Sequence, residues 1–179
     1  MLFRSKNKNL NWTILEPNFD YEKIDSELIK IQNVWFDEQY KINTNIDAIV
    51  HSHVFEHVYD PINFLSLIRD KMTDDTLHIF SVPNLLKYLE NKYTNSVCFE
   101  HSIFISEDII DTLLKNIGFE IINKEYYLEH SIFYSCKKSH PALFEYPKEI
   151  YKKNKLLFLD FLSHYKKKID YINRQIGRA

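Results

Sequence analysis

Glycine is nearly missing from this sequence. Its 179 residues hold two, Gly118 and Gly177, where ordinary usage would give about a dozen. A P-loop or a dinucleotide-binding fingerprint needs two or three clustered glycines, so neither is encoded. Long apolar runs are missing too, and none approaches the roughly 20 residues that span a bilayer. The opening ten residues are basic and polar, without the apolar centre of a signal peptide. Cysteine is scarce: Cys98 and Cys136 have neither zinc-ligand spacing nor the numbers for a disulfide framework. A reduced, cytoplasmic setting is the expectation. Disorder is excluded by what is abundant, since 45% of the residues are hydrophobic and 15% aromatic.

The formal net charge of −2 hides an asymmetry. Residues 148–178 carry nine Lys or Arg against three acids, and the remainder is acidic. A basic tail can meet nucleic acid or anionic lipid, or be the solvated face of a helix. The acidic remainder disfavours a phosphate-backbone partner, and no nucleic acid is expected.

Strand and helix patterns alternate. Residues 11–16 read as a short strand ended by Pro17-Asn18. Tyr21, Ile24, Leu28 and Ile31 have helical spacing over 21–32, with Asp20 as cap. Strands are expected at 34–36, 46–50 and 77–82. Asp60-Pro61 opens a helix, as does Ser106, whose helix ends near Gly118. Residues 119–128 and 131–137 form a closing antiparallel pair, and from Pro141 onward the pattern is helical. This order predicts an α/β sheet, parallel at first, in a domain over 1–138, followed by a basic helical tail or linker over 139–179. Ligands of such sheets lie beyond the carboxyl ends of the strands. That rule draws attention to Glu16, Asp37, the 51–57 loop and Asn84.

Several of these residues could carry chemistry. A carboxylate ending a strand, as Glu16 does, can accept both hydrogen bonds of a ribose diol, or be a solvated loop acid. His51, His53, Glu56 and His57 crowd into seven residues. They could ligate zinc, as in a metal-dependent hydrolase, although the spacing departs from the HxHxDH pattern. They could equally line a pocket. Glu100-His101 offers an imidazole that titrates near neutrality beside a carboxylate, a reasonable general base.

Together the stretches IDAIVHSHVFEHVYDPINFL (46–65), LHIFSVPN (77–84), FEHSIFIS (99–106) and LLKNIGFEI (113–121) resemble the class I S-adenosylmethionine-dependent methyltransferases. The likeness is to the branch acting on sugars and related small molecules, and it covers roughly residues 10–138. It implies a Rossmann-like sheet of order 3-2-1-4-5-7-6, S-adenosylmethionine as cofactor and a sugar-like small-molecule acceptor. In the same way it assigns Glu16 to the cosubstrate's ribose and Asp37 to the neighbourhood of its adenine. Ser52, His53 and His57 fall in the loop that lines the cosubstrate pocket. Glu100 and His101 match a Glu-His pair beside the acceptor, with His101 as base and no metal required.

Two departures qualify the resemblance. Sugar C-methyltransferases often carry Tyr two residues before the Glu-His pair; here Cys98 stands there, which favours an oxygen acceptor over carbon. The family's first strand and its glycine loop have no counterpart. The expectation is therefore a truncated methyltransferase, weak toward its cosubstrate and inactive by itself, with an N-terminal segment missing. A non-catalytic α/β binding module is the remaining alternative.

Overall fold

The structure, a computed structural model, describes residues 10–18, 29–42 and 45–177. The chain divides into two compact units, Met1–Thr44 and Asn45–Ala179, each with its own sheet. In the first, β1 (Trp12–Leu15) and β2 (Ile29–Gln32) run parallel, Trp12 opposite Ile29 and Leu15 opposite Gln32. The Glu16 N–H extends the ladder by donating to the Gln32 carbonyl at 3.1 Å.

The helix expected over 21–32 is corrected at its end. Residues 21–28 and the cap Asp20 lie outside the described residues, and 29–32 are strand. Ile-Lys-Ile-Gln alternates with period two, and β1 supplies the hydrogen-bonding partner that settles the choice. The strand expected at 34–36 is irregular instead, with Trp35 largely exposed. The chain then turns at Asp37, whose Oδ1 accepts from the N–H groups of Gln39 and Tyr40, both at 2.9 Å. This is an Asx turn, a local use of a short acid.

In the second unit the strands are β3 (Ala48–Ser52), β4 (Leu77–Pro83), β5 (Phe119–Tyr127) and β6 (Ser131–Lys138). Their spatial order is β3-β4-β6-β5. β3 and β4 are parallel, while β6 is antiparallel to both β4 and β5. The expected mixed sheet with its closing hairpin is present; β3 begins and ends two residues later than its hydrophobic run suggests. The helices are α1 (Pro61–Lys71), α2 (Leu85–Glu90), α3 (Glu107–Ile117) and α4 (Ile150–Ile176).

The core lies on β4 and β6. Phe80 and Tyr134 stack with centroids 4.9 Å apart, and Leu65 and Ile68 of α1 and Ile110 and Leu114 of α3 are fully buried with them. Burying each such side chain contributes about 1.5–3 kcal/mol. Asp60 caps α1 by accepting from the Asn63 N–H at 3.0 Å, with Pro61 behind it. Gly118 ends α3 in the left-handed region at φ +99°. There Arg69 donates from Nε to the Gly118 carbonyl at 3.2 Å and from a guanidinium nitrogen to Ser139 at 2.8 Å, tying α1 to the end of β6.

Two helices differ from expectation. α2 is additional: Asn84 does more than stop β4, since its side chain accepts from the Lys87 N–H at 3.3 Å and caps a short helix. α4 starts at Ile150 rather than Pro141, because Pro141 and Pro147 each disfavour a helical residue before them. It packs on α2, burying Phe161, with Lys92 paired to Asp160 and the Tyr165 hydroxyl donating to the Lys92 carbonyl. Among the described residues no helix is long and apolar enough to cross a membrane.

Candidate active site

The chain leaves β3 through a left-handed residue, His53 at φ 52°. For a side chain with a Cβ this costs on the order of 1–2 kcal/mol, and such strain concentrates at functional loops. Neighbouring bonds hold it. The His53 N–H donates to the Ser81 carbonyl at 3.0 Å, and the Ser52 and Ser81 hydroxyls meet at 2.7 Å.

Both His53 ring nitrogens are engaged. Nδ1 lies 3.1 Å from Glu56 Oε1 and Nε2 lies 3.0 Å from Ser131 Oγ, which in turn meets His130 Nδ1 at 2.6 Å. An ionised carboxylate only accepts, so His53 Nδ1 carries the proton; in the neutral ring Ser131 then donates to Nε2 and His130 donates to Ser131. The chain of donors thus ends on Glu56, which is buried in the middle of a 3-10 turn formed by Phe55–His57. Burial works to raise the Glu56 pKa. The His53 hydrogen bond, a backbone hydrogen bond and the nearby His53 and His57 together outweigh it, holding the carboxyl below its ordinary value. Its second oxygen, Oε2, is buried with no hydrogen-bond partner.

Backbone bonds then join this turn to the FEH stretch, far away in sequence. The Glu56 carbonyl accepts from the N–H of Ser102 at 2.9 Å and of Ile103 at 3.2 Å, and Ser102 Oγ donates to the His57 carbonyl at 3.0 Å. His57 Nδ1 donates to the Glu100 carbonyl at 2.8 Å. His101 is thereby set edge-on to His57, ring centroids 5.1 Å apart. His101 and Glu56 line a mostly apolar pocket with Phe55, Pro83, Leu85 and Tyr88, whose enclosed volume of about 20 Å³ is room for roughly one water. Glu100 is exposed; its carboxylate lies 4.0 Å from Cys98 Sγ, and what it lends the site is its carbonyl.

The metal alternative built on His51, His53 and His57 is corrected by the same bonds. His51 turns into the sheet, its Nε2 3.0 Å from His78 Nε2, and stacks on Phe80. His53 spends both nitrogens within the protein, and His57 turns toward Glu100. The three do not converge. Sequence reading saw Glu56 only as one member of a possible zinc cluster and missed Ser131 as its indirect support. Glu56 was visible as the acid of the HVFEH run; nothing in the pattern marked Ser131. Glu16 and Asp37 belong to the first unit, where the Glu16 carboxylate accepts from the Asn18 N–H at 3.1 Å.

A parallel pair continued by an antiparallel hairpin, with a mostly apolar pocket at the strand ends, is part of a Rossmann-like sheet. Residues 7–124 match the model of a methyltransferase domain, and the chain belongs to that family. No curated protein matches it by sequence. Among solved structures it is similar to a candidate S-adenosylmethionine-dependent methyltransferase from Listeria monocytogenes, at TM-score 0.51 and 11% identity over 66% of this chain and 73% of the other. It is also similar to N,N-8-amino-8-demethyl-D-riboflavin dimethyltransferase from Streptomyces davawensis, at TM-score 0.49 and 21% identity over 63% of this chain. The magnesium protoporphyrin IX methyltransferase of Synechocystis, solved with S-adenosylhomocysteine, matches at TM-score 0.47 and 15% identity over 63% of this chain and 52% of the other. At 11% identity the likeness to the Listeria protein is one of fold. The chain spans 35% of the length of the riboflavin-analogue enzyme.

Proposed function

We propose that this chain serves S-adenosylmethionine-dependent methyl transfer to a small oxygen acceptor, a sugar or nucleotide-linked sugar. The observation that carries the reading is the joining of the HVFEH turn to the FEH loop, which sets His101 at the mouth of a small pocket within a methyltransferase-family chain.

The residues fit part of the cosubstrate. Ser52 is exposed at the end of β3 and His57 is exposed on the following turn; both are candidates to touch it. His53 supports them, since its ring is fully engaged. Glu16 and Asp37 take their assignment to ribose and adenine from the family resemblance alone. A glycine cradle for the methionine end has no counterpart in a chain with two glycines. When bound, S-adenosylmethionine supplies a methyl group already activated on a sulfonium. The protein's own work is then alignment and proton removal. The acceptor rests at the open side of the pocket, and His101 takes the hydroxyl proton as the oxygen attacks. Cys98, where a tyrosine would favour a carbon acceptor, is the sequence feature that supports oxygen.

The test is transfer of labelled methyl from S-adenosylmethionine to sugars and nucleotide-sugars, with calorimetry for cosubstrate binding. Binding should be weaker than micromolar, for want of the glycine cradle. His101→Ala should abolish turnover and leave cosubstrate binding nearly intact. Unchanged turnover in that variant removes His101 as base, and no binding or transfer at any cosubstrate concentration refutes the reading.

A further inference from the structure

Glu56, His57 and His101 each offer a donor atom, and the three atoms lie within 4.8 Å of one another. They come from two segments sewn together by the Glu56 carbonyl, so their meeting is a property of the fold. We propose that these three residues bind a first-row divalent cation of the zinc–cobalt type, its remaining coordination positions turned to the pocket.

Two residues point to a ligand, through three features. First, Glu56 is 7% exposed, and its Oε2 is buried without a hydrogen-bond partner. An unpaired buried carboxylate oxygen is costly, on the order of 1–3 kcal/mol or more, and a cation would satisfy it. Second, the other oxygen, Oε1, is fixed by His53, so Oε2 is held in place. Third, the Glu100 carbonyl can only accept, so the proton of neutral His57 sits on Nδ1 and its Nε2 lone pair is free. A histidine whose other nitrogen is anchored to a carbonyl is the usual support for a metal ligand.

Two imidazoles and one carboxylate suit zinc and its neighbours, and leave positions open; magnesium prefers an all-oxygen shell. Ligands around tetrahedral zinc lie about 3.4 Å apart, from bonds of about 2.0–2.2 Å. The present separation is somewhat wider, and since His101 is half-exposed, modest rotation of its ring closes it. Glu56 and His101 line the pocket, so the cation would orient the oxygens of whatever small molecule enters. It uses the same His101 lone pair that would otherwise take a proton, so the two roles exclude each other in any one molecule.

The inference does not depend on methyl transfer, and its readout is binding alone. The full chain would be titrated with Co²⁺ followed by visible absorption, and with Zn²⁺ by calorimetry. The expected result is one cation per chain, with Zn²⁺ displacing Co²⁺. Glu56→Gln, His57→Ala and His101→Ala should each weaken Zn²⁺ by about tenfold or more. His140→Ala, at an exposed position far along the chain, and Cys98→Ser should leave it unchanged. His57→Ala removes an exposed ring, and circular dichroism would verify that each variant is folded. Absence of Zn²⁺ and Co²⁺ binding overturns the proposal, as does equal affinity in the three ligand variants, or tight Mg²⁺ binding without Co²⁺. Any of these leaves His101 as a proton acceptor and the transferase reading untouched.

Discussion

Acid should weaken this protein from inside its sheet. His78 on β4 is fully buried and His51 on β3 lies half-buried beside it, the two joined through Nε2 at 3.0 Å. One nitrogen must donate and the other accept, so at most one ring can be charged, and both Nδ1 atoms are buried without partners, which disfavours charge on either. Burial pushes His51 from its ordinary 6.5 down to about 4. It pushes His78 well below the same value, helped by the His51 charge. The unfolded chain keeps ordinary imidazoles, so from 6.5 toward 4 it binds protons that the folded chain refuses. Stability is therefore full above about 6.5 and falls as pH drops through that interval. At about 1.4 kcal/mol per tenfold change in proton affinity, His51 alone accounts for a loss of about 3 kcal/mol, a large part of the 5–15 kcal/mol of a typical domain. The measurement is the urea midpoint as a function of pH, for the natural chain and for His51→Leu/His78→Leu. Removing both partners together leaves no orphaned nitrogen, so the double variant should fold with near-unchanged stability at neutral pH and a much flatter acid limb. A flat profile in the natural chain, or the same slope in both proteins, refutes the reasoning.

Other consequences follow from single positions. Gly118→Ala places a Cβ 2.7 Å from Arg69 Nε and 2.8 Å from the Ser139 carbonyl at φ +99°. Left-handed strain and the broken Arg69 tie should together cost about 2 kcal/mol or more, read as a lowered urea midpoint. Asp60→Ala removes the cap of α1 and should cost about 1 kcal/mol in the same assay. Cys136 is fully buried, and burial first, then the Asp111 charge, pushes its thiol up to about 12. A thiol reagent at neutral pH should therefore label Cys98 in the folded chain and reach Cys136 only on denaturation; rapid labelling of both would contradict the placement of β6.

Legibility followed the range of the interactions. The Asp60-Pro61 start of α1 and the Gly118 end of α3 are decided by neighbours within one turn, and both were readable. So was the β3-to-α1 loop as a place for chemistry, because strand ends are where α/β sheets put ligands. Residues 29–32 were misread because Tyr21, Ile24, Leu28 and Ile31 also satisfy a helical period, and only pairing with Trp12–Leu15 breaks the tie. α2 was missed although Asn84 carries a capping side chain, since Pro83-Asn84 signals a stop equally well. The start of α4 was placed too early because periodicity outweighed the two prolines.

The site shows the same limit more sharply. Counting histidines in the 51–57 run treats them as equivalent, yet the fold gives each a different task. His51 belongs to the sheet core, His53 braces Glu56, and His57 alone keeps a free nitrogen on the surface. The acid among them gains its importance from two backbone N–H groups at Ser102 and Ile103, donors that every residue but proline possesses and that no pattern can flag. What distinguishes Glu56 is therefore not its neighbours in sequence but an oxygen that the rest of the fold leaves unpaired, and that oxygen makes a cation the sharper reading of a histidine-rich loop.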